Sequence, residues 1–420
     1  MFKLYLIPRF TRACIALNVL TVWSLIAGFV LLMLSFNPWM GLAAVCASAY
    51  FARRRYTPSG TFGTARWAEP DDLAAAGYFS GSGLPVGKVP APRVGRALRI
   101  LFRAKGAALV SACALYFAAL RRRDVWVRVP NPVHTLVVAP PGAGKNTSFI
   151  FPFLLTCPDS VVVIDPKGEN YRTTAAARRA MGHEVAVLDP FGVTGAEAAL
   201  LDPLTLIPPQ SNRLFDDAAA LAAALIPPEP ESKEPHWHQS AELMMTGLLA
   251  HLAINAPDEL RGLRAAIALI SDPDRLQAAI GDMRASPTRE LRALGGQMSH
   301  FKDKELNSVL TTAARALRPF ISPAMSRSIS ATTVDFDKLR KGRLSVFLVL
   351  PPEYLQSHAA VVRMWVNTFL RECVRGGPGE RHKVHFVLDE CAALGKFDAV
   401  TTAMSQLRGY GVRVQAYFQS

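Results

Sequence analysis

The segment Leu136–Ser148 has the residue types of a phosphate-binding loop. A short apolar stretch, Thr135–Val138, leads through a Pro/Gly loop into an apolar segment, Phe149–Leu155, in the strand–loop–helix order of a P-loop. Glycines leave room for backbone N–H groups around phosphate oxygens, the helix N-terminus favours negative charge, and a lysine supplies a point charge for the β- and γ-phosphates. The pattern predicts an ATP site formed by Pro141, Gly142, Ala143, Gly144, Lys145, Asn146 and Thr147.

Two positions of this loop depart from the usual pattern. Ala139 stands where the first glycine is expected, and Asn146 stands where a serine or threonine usually follows the lysine. The hydroxyl that usually binds magnesium is therefore missing or displaced to Thr147. Taken alone, the loop leaves open a turn that only resembles a P-loop.

A second motif supports the nucleotide site. The apolar stretch from Val384 ends in two carboxylates, Asp389 and Glu390, which is the pattern of a Walker B strand. We expect Asp389 to hold Mg²⁺, usually through water, and Glu390 to act as the general base on the attacking water. The alternative is a core strand that ends in a solvated acidic turn. Two motifs in the right order and on the right elements favour an ATPase.

The charge balance of the chain is strongly basic. The 420 residues carry a formal net charge of +14, and 50% of them are hydrophobic. This balance suggests polyanionic partners, either nucleic acid or anionic lipid. A generally basic proteome, or basic flanks of membrane spans, is the alternative. The six cysteines are scattered without a Cys-x-x-Cys pair, so neither a disulfide framework nor a zinc site is indicated.

The N-terminal region predicts a membrane anchor. Residues 14–36 are long and apolar enough to span a bilayer, and residues 38–52 form a second, shorter apolar stretch. Basic residues precede the first stretch and follow the second, at Lys3, Arg9, Arg12, Arg53, Arg54 and Arg55. Because basic flanks favour the cytoplasmic side, we expect a helical hairpin with both ends inside. A cleaved signal peptide fits less well, because a second apolar stretch follows.

The remainder reads as an α/β protein with an all-helical insertion. Apolar strands are predicted at 135–138, 160–164, 184–188, 344–350, 384–388 and 412–418, which indicates a parallel sheet covered on both faces. Between about residues 201 and 335 strand-like runs are scarce, and amphipathic helices are predicted at 218–225, 240–254, 260–270, 289–301 and 306–317. His236 and His238 lack an evident third metal ligand, so a helix-entry role is favoured.

These patterns define the expected domains. We expect an anchor over 1–57, a linker and juxtamembrane segment over 58–124, a nucleotide-binding domain over 125–205 and 336–420, and the inserted all-α domain over 206–335. A short apolar segment at 107–120, flanked by basic residues, is expected to be buried or to lie on a membrane surface. Asp165 and Asp189 end two predicted strands, where ligands of open α/β sheets bind.

The motifs together resemble those of the coupling ATPases of type IV secretion and bacterial conjugation, the TraG/TraD-like family. The resemblance covers nearly the whole chain. It rests on the N-terminal hairpin, on the P-loop at 139–145, and on the segments Gly63–Trp67, Val163–Tyr171, Leu388–Gly395, Leu407–Gly411 and Gln419–Ser420. The Asp-Pro-Lys-Gly-Glu motif at 165–169 and the Asp-Glu-x-x-x-Leu-Gly motif at 389–395 are more specific than a P-loop alone.

The resemblance implies a RecA-like motor domain in a homo-hexameric ring on the bacterial inner membrane, with most of the chain in the cytosol. It implies ATP and Mg²⁺ as cofactors, and a relaxase bound to single-stranded DNA that is passed to the secretion channel. It also implies that Arg408 acts in trans as an arginine finger and that Gln419 senses the γ-phosphate. A coupling ATPase for protein effectors without DNA cargo is the alternative.

The resemblance also bears on the end of the chain. Members of the family continue beyond the strand that ends near Gln419 with further sheet strands and a tail. We therefore expect this chain to be a fragment or a truncated reading frame with an open sheet edge. An inactive remnant that still folds is a third alternative.

Overall fold

The computed structural model describes residues 68–80, 83–106, 108–130, 132–226, 235–379, 382–395 and 397–419. The predicted spans at 14–36 and 38–52 lie outside these residues, as does the rest of the predicted anchor. Among the helices of the described residues, none combines the length and the apolar character that a membrane crossing needs. Residues Glu69–Ser420 form one compact unit.

The centre of this unit is a six-stranded sheet within the described residues. Its strands are β3 (His134–Val138), β4 (Ser160–Ile164), β5 (Glu184–Leu188), β6 (Leu344–Leu348), β7 (Val384–Leu388) and β8 (Val412–Phe418). All pairings are parallel, in the order β3-β8-β7-β4-β6-β5. The predicted parallel sheet is confirmed. The last strand lies inside the sheet between β3 and β7, and the edges are β3 and β5.

The central strands are buried on both faces because their sequences are apolar at successive positions. In β4, Val162 and Ile164 point into one core, whereas Val161 and Val163 point into the other. This alternation follows from the two-residue period of a strand. The first core also contains side chains of the helical domain, such as Met244 and Leu248, so the insertion and the sheet share one apolar interior.

Helices connect the strands of the sheet. The P-loop leads into a π-helical turn, Asn146–Ile150, that continues as a short α-helix, Phe151–Leu154. The helices of this part are α4 (Phe151–Leu154), α5 (Glu169–Ala180), α13 (Phe336–Arg340), α14 (Pro352–Leu355), α15 (Ala359–Arg375) and α16 (Asp398–Gln406). The largest buried side chain of α15 is Trp365, and it anchors the helix in the core that the sheet shares with the insertion.

The segment between β5 and β6 is helical, as the sequence predicts. Its helices are α6 (Leu214–Leu225), α7 (Pro235–Asn255), α8 (Leu263–Ser271), α9 (Pro273–Ala285), α10 (Arg289–Met298), α11 (Asp303–Leu317) and α12 (Pro323–Ser328). The central helix is α7, which packs against α6, α8, α10 and α11. Gly247 of α7 leaves room for Met283 and Met298, because a Cβ there would lie 2.7 Å from Met283 Cε.

Several boundaries in this domain differ from the sequence prediction. Helix α6 begins at Leu214 and not at 218, and α7 begins at Pro235 and not at 240, so His236 and His238 lie in the first turn of α7. The prediction omitted α9 altogether. Pro273 is the first residue of α9, where a backbone N–H would have no partner within the helix, so its absence costs nothing. Asp272 precedes the helix and accepts hydrogen bonds from the N–H groups of Asp274 and Arg275.

A smaller layer precedes the main sheet along the chain. Strand β1 (Leu84–Val89) pairs antiparallel with β2 (Val125–Val129), and helices α1 (Pro70–Ala75), α2 (Val94–Arg103) and α3 (Ala108–Leu120) pack around a separate apolar cluster. Residues 125–129 therefore pair with β1 and lie outside the parallel sheet. The parallel sheet begins at His134.

Candidate functional site

A cavity of about 580 Å³ lies at the carboxyl ends of β3, β4, β7 and β8. Parallel strands place their carboxyl ends at one edge of a sheet, so motifs that are far apart in sequence meet there. The residues that line the cavity are Pro141, Gly142, Ala143, Gly144, Lys145, Asn146, Thr147, Asp165, Pro166, Lys167, Glu169, Pro352, Leu355, Asp389, Glu390, Ala393 and Gln419. Every predicted cofactor-binding residue is thus in one cavity.

The loop from 141 to 147 has the backbone shape that phosphate binding requires. Gly142 and Gly144 have φ angles of 75° and 81°, in the left-handed region that glycine adopts without strain. The Thr147 hydroxyl donates a hydrogen bond to the Gly144 carbonyl at 3.1 Å. Lys145 is buried, and its Nζ lies 3.5 Å from the carbonyl oxygen of Phe418 at the end of β8. The loop is therefore held against β8, with its lysine at the floor of the cavity.

Two carboxylates follow β7 and face this loop. Asp389 is buried, and burial, with the neighbouring charge of Glu390, raises the pKa of its carboxyl, while Lys145 and a hydrogen bond from Asn146 oppose that rise. Asn146 thus faces the carboxylate that is predicted to hold Mg²⁺, whereas Thr147 bonds within its own loop. A bound cation would relieve the repulsion between the two carboxylates, and oxygen ligands suit Mg²⁺.

Glu390 is held in a strained backbone conformation. Its φ of 55° and ψ of 40° lie in the left-handed region, where a residue other than glycine is uncommon. Such strain concentrates at functional sites, where the surrounding structure enforces it. The side-chain amide of Gln419 donates a hydrogen bond to Glu390 Oε1. The strained turn therefore directs the predicted general base toward the residue that follows β8.

The predicted site roles did not include residues from the end of β4, although Asp165 was expected at the edge of the sheet where ligands bind. Asp165, Lys167 and Glu169 line the same cavity, and so do Pro352 and Leu355 after β6. Burial raises the pKa of Asp165 to about 6, although its Oδ2 accepts a hydrogen bond at 2.8 Å from the Tyr171 N–H. The position of Asp165 directly after a predicted apolar strand was the signal for it. No comparable signal identified Pro352 or Leu355.

Arg408 lies away from this cavity. It is exposed on a 3₁₀ turn, Leu407–Tyr410, just before β8, whereas Gln419 follows the other end of that strand. Seven strand residues separate the two ends by about 20 Å. Burial is the main cause that lowers the pKa of His134, and the positive charges of Arg413 and Arg408 lower it further. Arg408 therefore lies near His134, at the start of β3. Within one chain, the structure does not bring Arg408 to the nucleotide cavity.

The sequence of this chain matches one protein family over residues 66–420, described as type IV secretory system conjugative DNA transfer. The chain belongs to this family. The match confirms the resemblance to type IV coupling proteins, because it covers the P-loop, the Walker B strand and the helical insertion together.

Curated relatives agree with this assignment. The conjugal transfer protein TraG of Escherichia coli is 25% identical over 374 residues, which are 84% of this chain and 56% of that protein. The protein VirD4 of Rhizobium radiobacter is 28% identical over 366 residues, 85% of this chain and 48% of that protein. The chain therefore spans about half the length of the curated relatives that it matches.

Solved structures show the same fold. The plasmid coupling protein TrwB in complex with ADP and Mg²⁺ has a TM-score of 0.55 and 16% identity, covering 81% of this chain and 74% of that one. The unbound monoclinic form of TrwB has a TM-score of 0.52 over the same share of this chain. The likeness supports a P-loop fold of the RecA-like type for the described residues.

Proposed function

We propose that this chain is a membrane-anchored coupling ATPase that binds Mg²⁺-ATP in the 580 Å³ cavity and uses its hydrolysis to drive transfer of relaxase-bound single-stranded DNA. The observation that supports this proposal most strongly is that the P-loop, Asp389, Glu390 and Gln419 all line that cavity. TrwB, a relative in fold, has been solved with ADP and Mg²⁺ in a complex, which is consistent with the proposal.

The motif residues of the cavity have proposed roles. The loop N–H groups and Lys145 would hold the phosphates, and Asp389, together with Asn146 or Thr147, would hold Mg²⁺. Mg²⁺ would neutralise charge that develops on the transferred phosphoryl group. Glu390 accepts a proton from the attacking water, and its bond from Gln419 keeps the carboxylate oriented. Gln419 would sense the γ-phosphate through this carboxylate, because its amide is bonded to Glu390.

A second cavity supports DNA as cargo. It has a volume of about 870 Å³ and lies between α11, the turn after it, and the segment from Tyr354 to Arg363. Arg315, Arg318 and Arg363 line it. Arginine side chains suit the phosphates of a strand that is bound without base readout.

The two cavities share one segment of the chain. Pro352 and Leu355 line the nucleotide cavity, whereas Tyr354 and His358 line the arginine cavity. Phe191 stacks on Tyr354 at 4.7 Å between ring centroids, which ties this segment to the end of β5. A strand bound at the arginines would therefore contact the same segment as the nucleotide. This arrangement offers a route by which DNA stimulates hydrolysis.

The ring and the membrane location complete the proposal. We place the N-terminal apolar stretches in the inner membrane, with the described part in the cytosol, where ATP is available. A homo-hexamer would bring Arg408 of one subunit to the γ-phosphate of the next, since the cavity within one chain does not contain it. The ring would pass its cargo to components of the type IV secretion channel.

The experiment that tests the proposal measures ATP turnover by the full-length protein in lipid nanodiscs, with and without single-stranded DNA of mixed sequence. We expect DNA to raise turnover, and we expect the effect to weaken steeply with salt. Arg315→Ala/Arg318→Ala should lose most of the stimulation, whereas Arg284→Ala/Arg289→Ala, two exposed arginines elsewhere in the helical domain, should keep it. Basal turnover without any response to DNA would favour a coupling ATPase for proteins alone.

A further inference from the structure

We propose that the outward surface of α2 and α3 binds the headgroup region of an anionic lipid bilayer. The apolar face consists of Val94, Leu98 and Phe102 of α2, with Leu109, Val110, Phe117 and Leu120 of α3. All seven side chains are exposed, and Phe102, Val110 and Phe117 are 82%, 63% and 56% exposed. This inference is independent of the nucleotide site and uses the proposed membrane location only for its setting.

The apolar face is separate from the side of each helix that packs inward. In α2, Ala97 and Ile100 are buried, whereas Val94, Leu98 and Phe102 follow one another at four-residue spacing on another face. In α3, Ala112 and Leu115 are buried on the side opposite the exposed residues. The two helices also pack against each other, so their exposed side chains belong to one layer.

The composition of α3 is unusual for a helix that faces water. Its thirteen residues include no charged side chain, although four of them, Leu109, Val110, Phe117 and Leu120, are exposed. A surface helix of a water-soluble domain normally carries polar residues on its outer face. Large exposed apolar patches mark sites of interaction with proteins or membranes. The composition therefore indicates that water is not the medium that this face contacts.

The charges around the face select lipid over a protein partner. Residues 93–123 contain no aspartate or glutamate and contain eight basic residues, Arg93, Arg96, Arg99, Arg103, Lys105, Arg121, Arg122 and Arg123. Arg96 bonds to Glu69 and Asp71 of the neighbouring segment. Aromatic and aliphatic side chains beside a dense set of arginines are typical of helices that lie in the bilayer interface. Basic residues attract the anionic headgroups of the cytoplasmic leaflet.

The position in the chain agrees with this partner. The predicted membrane spans end at residue 52, and α1 begins at Pro70, so α2 and α3 follow the predicted anchor closely in sequence. A share of the basic excess of the chain is then assigned to lipid and not to DNA. The face would hold the small β1–β2 layer on the membrane through contacts that do not depend on nucleotide.

The test places a photoreactive benzoylphenylalanine at Phe102, Val110 or Phe117 of the full-length protein in phosphatidylglycerol nanodiscs. Leu260 and Ile321, which are 64% and 69% exposed in the helical domain, serve as matched control positions. After illumination, mass spectrometry identifies the adducts. We expect lipid adducts at the three test positions and few at the controls. Nucleotide binding by each variant verifies its fold.

A charge variant tests the electrostatic half of the inference. Arg99→Gln/Arg103→Gln should lower the adduct yield at Val110 by roughly fivefold or more, since each basic residue contributes about that factor near an anionic surface. Arg284→Gln/Arg289→Gln removes the same charge elsewhere and should leave the yield unchanged. Replacing phosphatidylglycerol by phosphatidylcholine should also lower the yield.

The outcomes separate this inference from the proposed membrane anchor. Insertion is read independently, from whether the protein remains with the discs at high salt. Lipid adducts without stable insertion would support the inference and argue against the predicted spans. Stable insertion with protein adducts, or with lipid adducts no more frequent than at Leu260 and Ile321, would overturn the inference and leave the ATPase proposal standing.

Discussion

The side-chain amide of Gln419 donates a hydrogen bond to the carboxylate of Glu390, across the gap between the ends of β8 and β7. Glu390 is held by a strained backbone, and Gln419 follows the strand that the P-loop lysine also contacts. The bond therefore links the predicted general base, the predicted γ-phosphate sensor and the phosphate-binding loop at one edge of the sheet.

This relationship gives a first prediction. In Gln419→Ala, the Glu390 carboxylate loses a hydrogen-bond donor that orients it, while the P-loop remains intact. We expect nucleotide affinity to change little and hydrolysis to fall by roughly tenfold or more, in the range of a hydrogen bond to a charged group. Titration with a fluorescent ATP analogue and a phosphate-release assay separate the two effects. A loss of affinity equal to the loss of rate would assign Gln419 to binding alone.

A second prediction concerns Lys145. Its ammonium group is the buried positive charge of the loop, and Ala at this position removes it. We expect Lys145→Ala to weaken ATP binding by roughly tenfold to a hundredfold, with a smaller effect on the nucleoside alone. Isothermal titration calorimetry provides the affinities. Lys302→Ala, an exposed lysine of the helical domain, is the matched control. Equal affinity of Lys145→Ala and the native protein for ATP would contradict the P-loop assignment.

A third prediction tests the proposed ring. Because Arg408 lies at the end of β8 away from the cavity, its side chain would act only on a neighbouring subunit. Arg408→Ala should abolish DNA-stimulated turnover and leave ATP binding nearly intact. A mixture of Arg408→Ala and Glu390→Gln subunits should recover part of the rate, because an intact arginine then meets an intact base across some interfaces. A mixture that forms rings and binds ATP without any recovery would refute the trans role.

A fourth prediction concerns stability and pH. Asp202 is buried and accepts hydrogen bonds from the N–H groups of Leu204 and Leu263, and burial raises its pKa to about 6. Its folded-state pKa exceeds its unfolded value of 3.8, so its contribution is fully present below pH 3.8 and is lost as pH rises through about 6. The size of this loss is about 3 kcal/mol.

Asp202→Asn removes this titration. We therefore expect the variant to gain stability relative to the native protein between pH 4 and pH 7.5, by up to about 3 kcal/mol. Urea unfolding at the two pH values measures the difference in unfolding free energy. Asparagine has one acceptor oxygen, so the variant also loses one of the two hydrogen bonds, which lowers its stability equally at both pH values. A constant difference between the two proteins across this range would show that the carboxyl does not titrate there.

Sequence patterns predicted the central sheet well because its strands are buried on both faces. A short, continuous apolar run such as Ser160–Ile164 that is bounded by a turn is rarely anything but a buried strand. Four of the predicted strands have the bounds that the structure shows. The motifs likewise predicted the P-loop and the two carboxylates after β7, because their chemistry requires particular residue types.

The remaining features depend on contacts between distant parts of the chain. The strand order β3-β8-β7-β4 brings Asp165 and Glu169 into the cavity. No local sequence pattern predicts that order. The pairing of β1 with β2 is likewise non-local. The apolar segment at 107–120 was expected to be buried or on a membrane surface, and the structure shows a helix with one buried side and one exposed apolar side. Because the segment is apolar throughout, its sequence does not show which side is buried, and only the packing of α2 and α3 in the structure does.

The most direct test of the proposed ATPase site compares the native protein with Glu390→Gln in the same nucleotide-binding and hydrolysis assays, on full-length protein in nanodiscs with single-stranded DNA. We expect the variant to bind Mg²⁺-ATP as tightly as the native protein and to hydrolyse it about 10²- to 10⁴-fold more slowly, because only the general base is lost. A Glu390→Gln protein that turns over ATP at the native rate would rule out Glu390 as the general base.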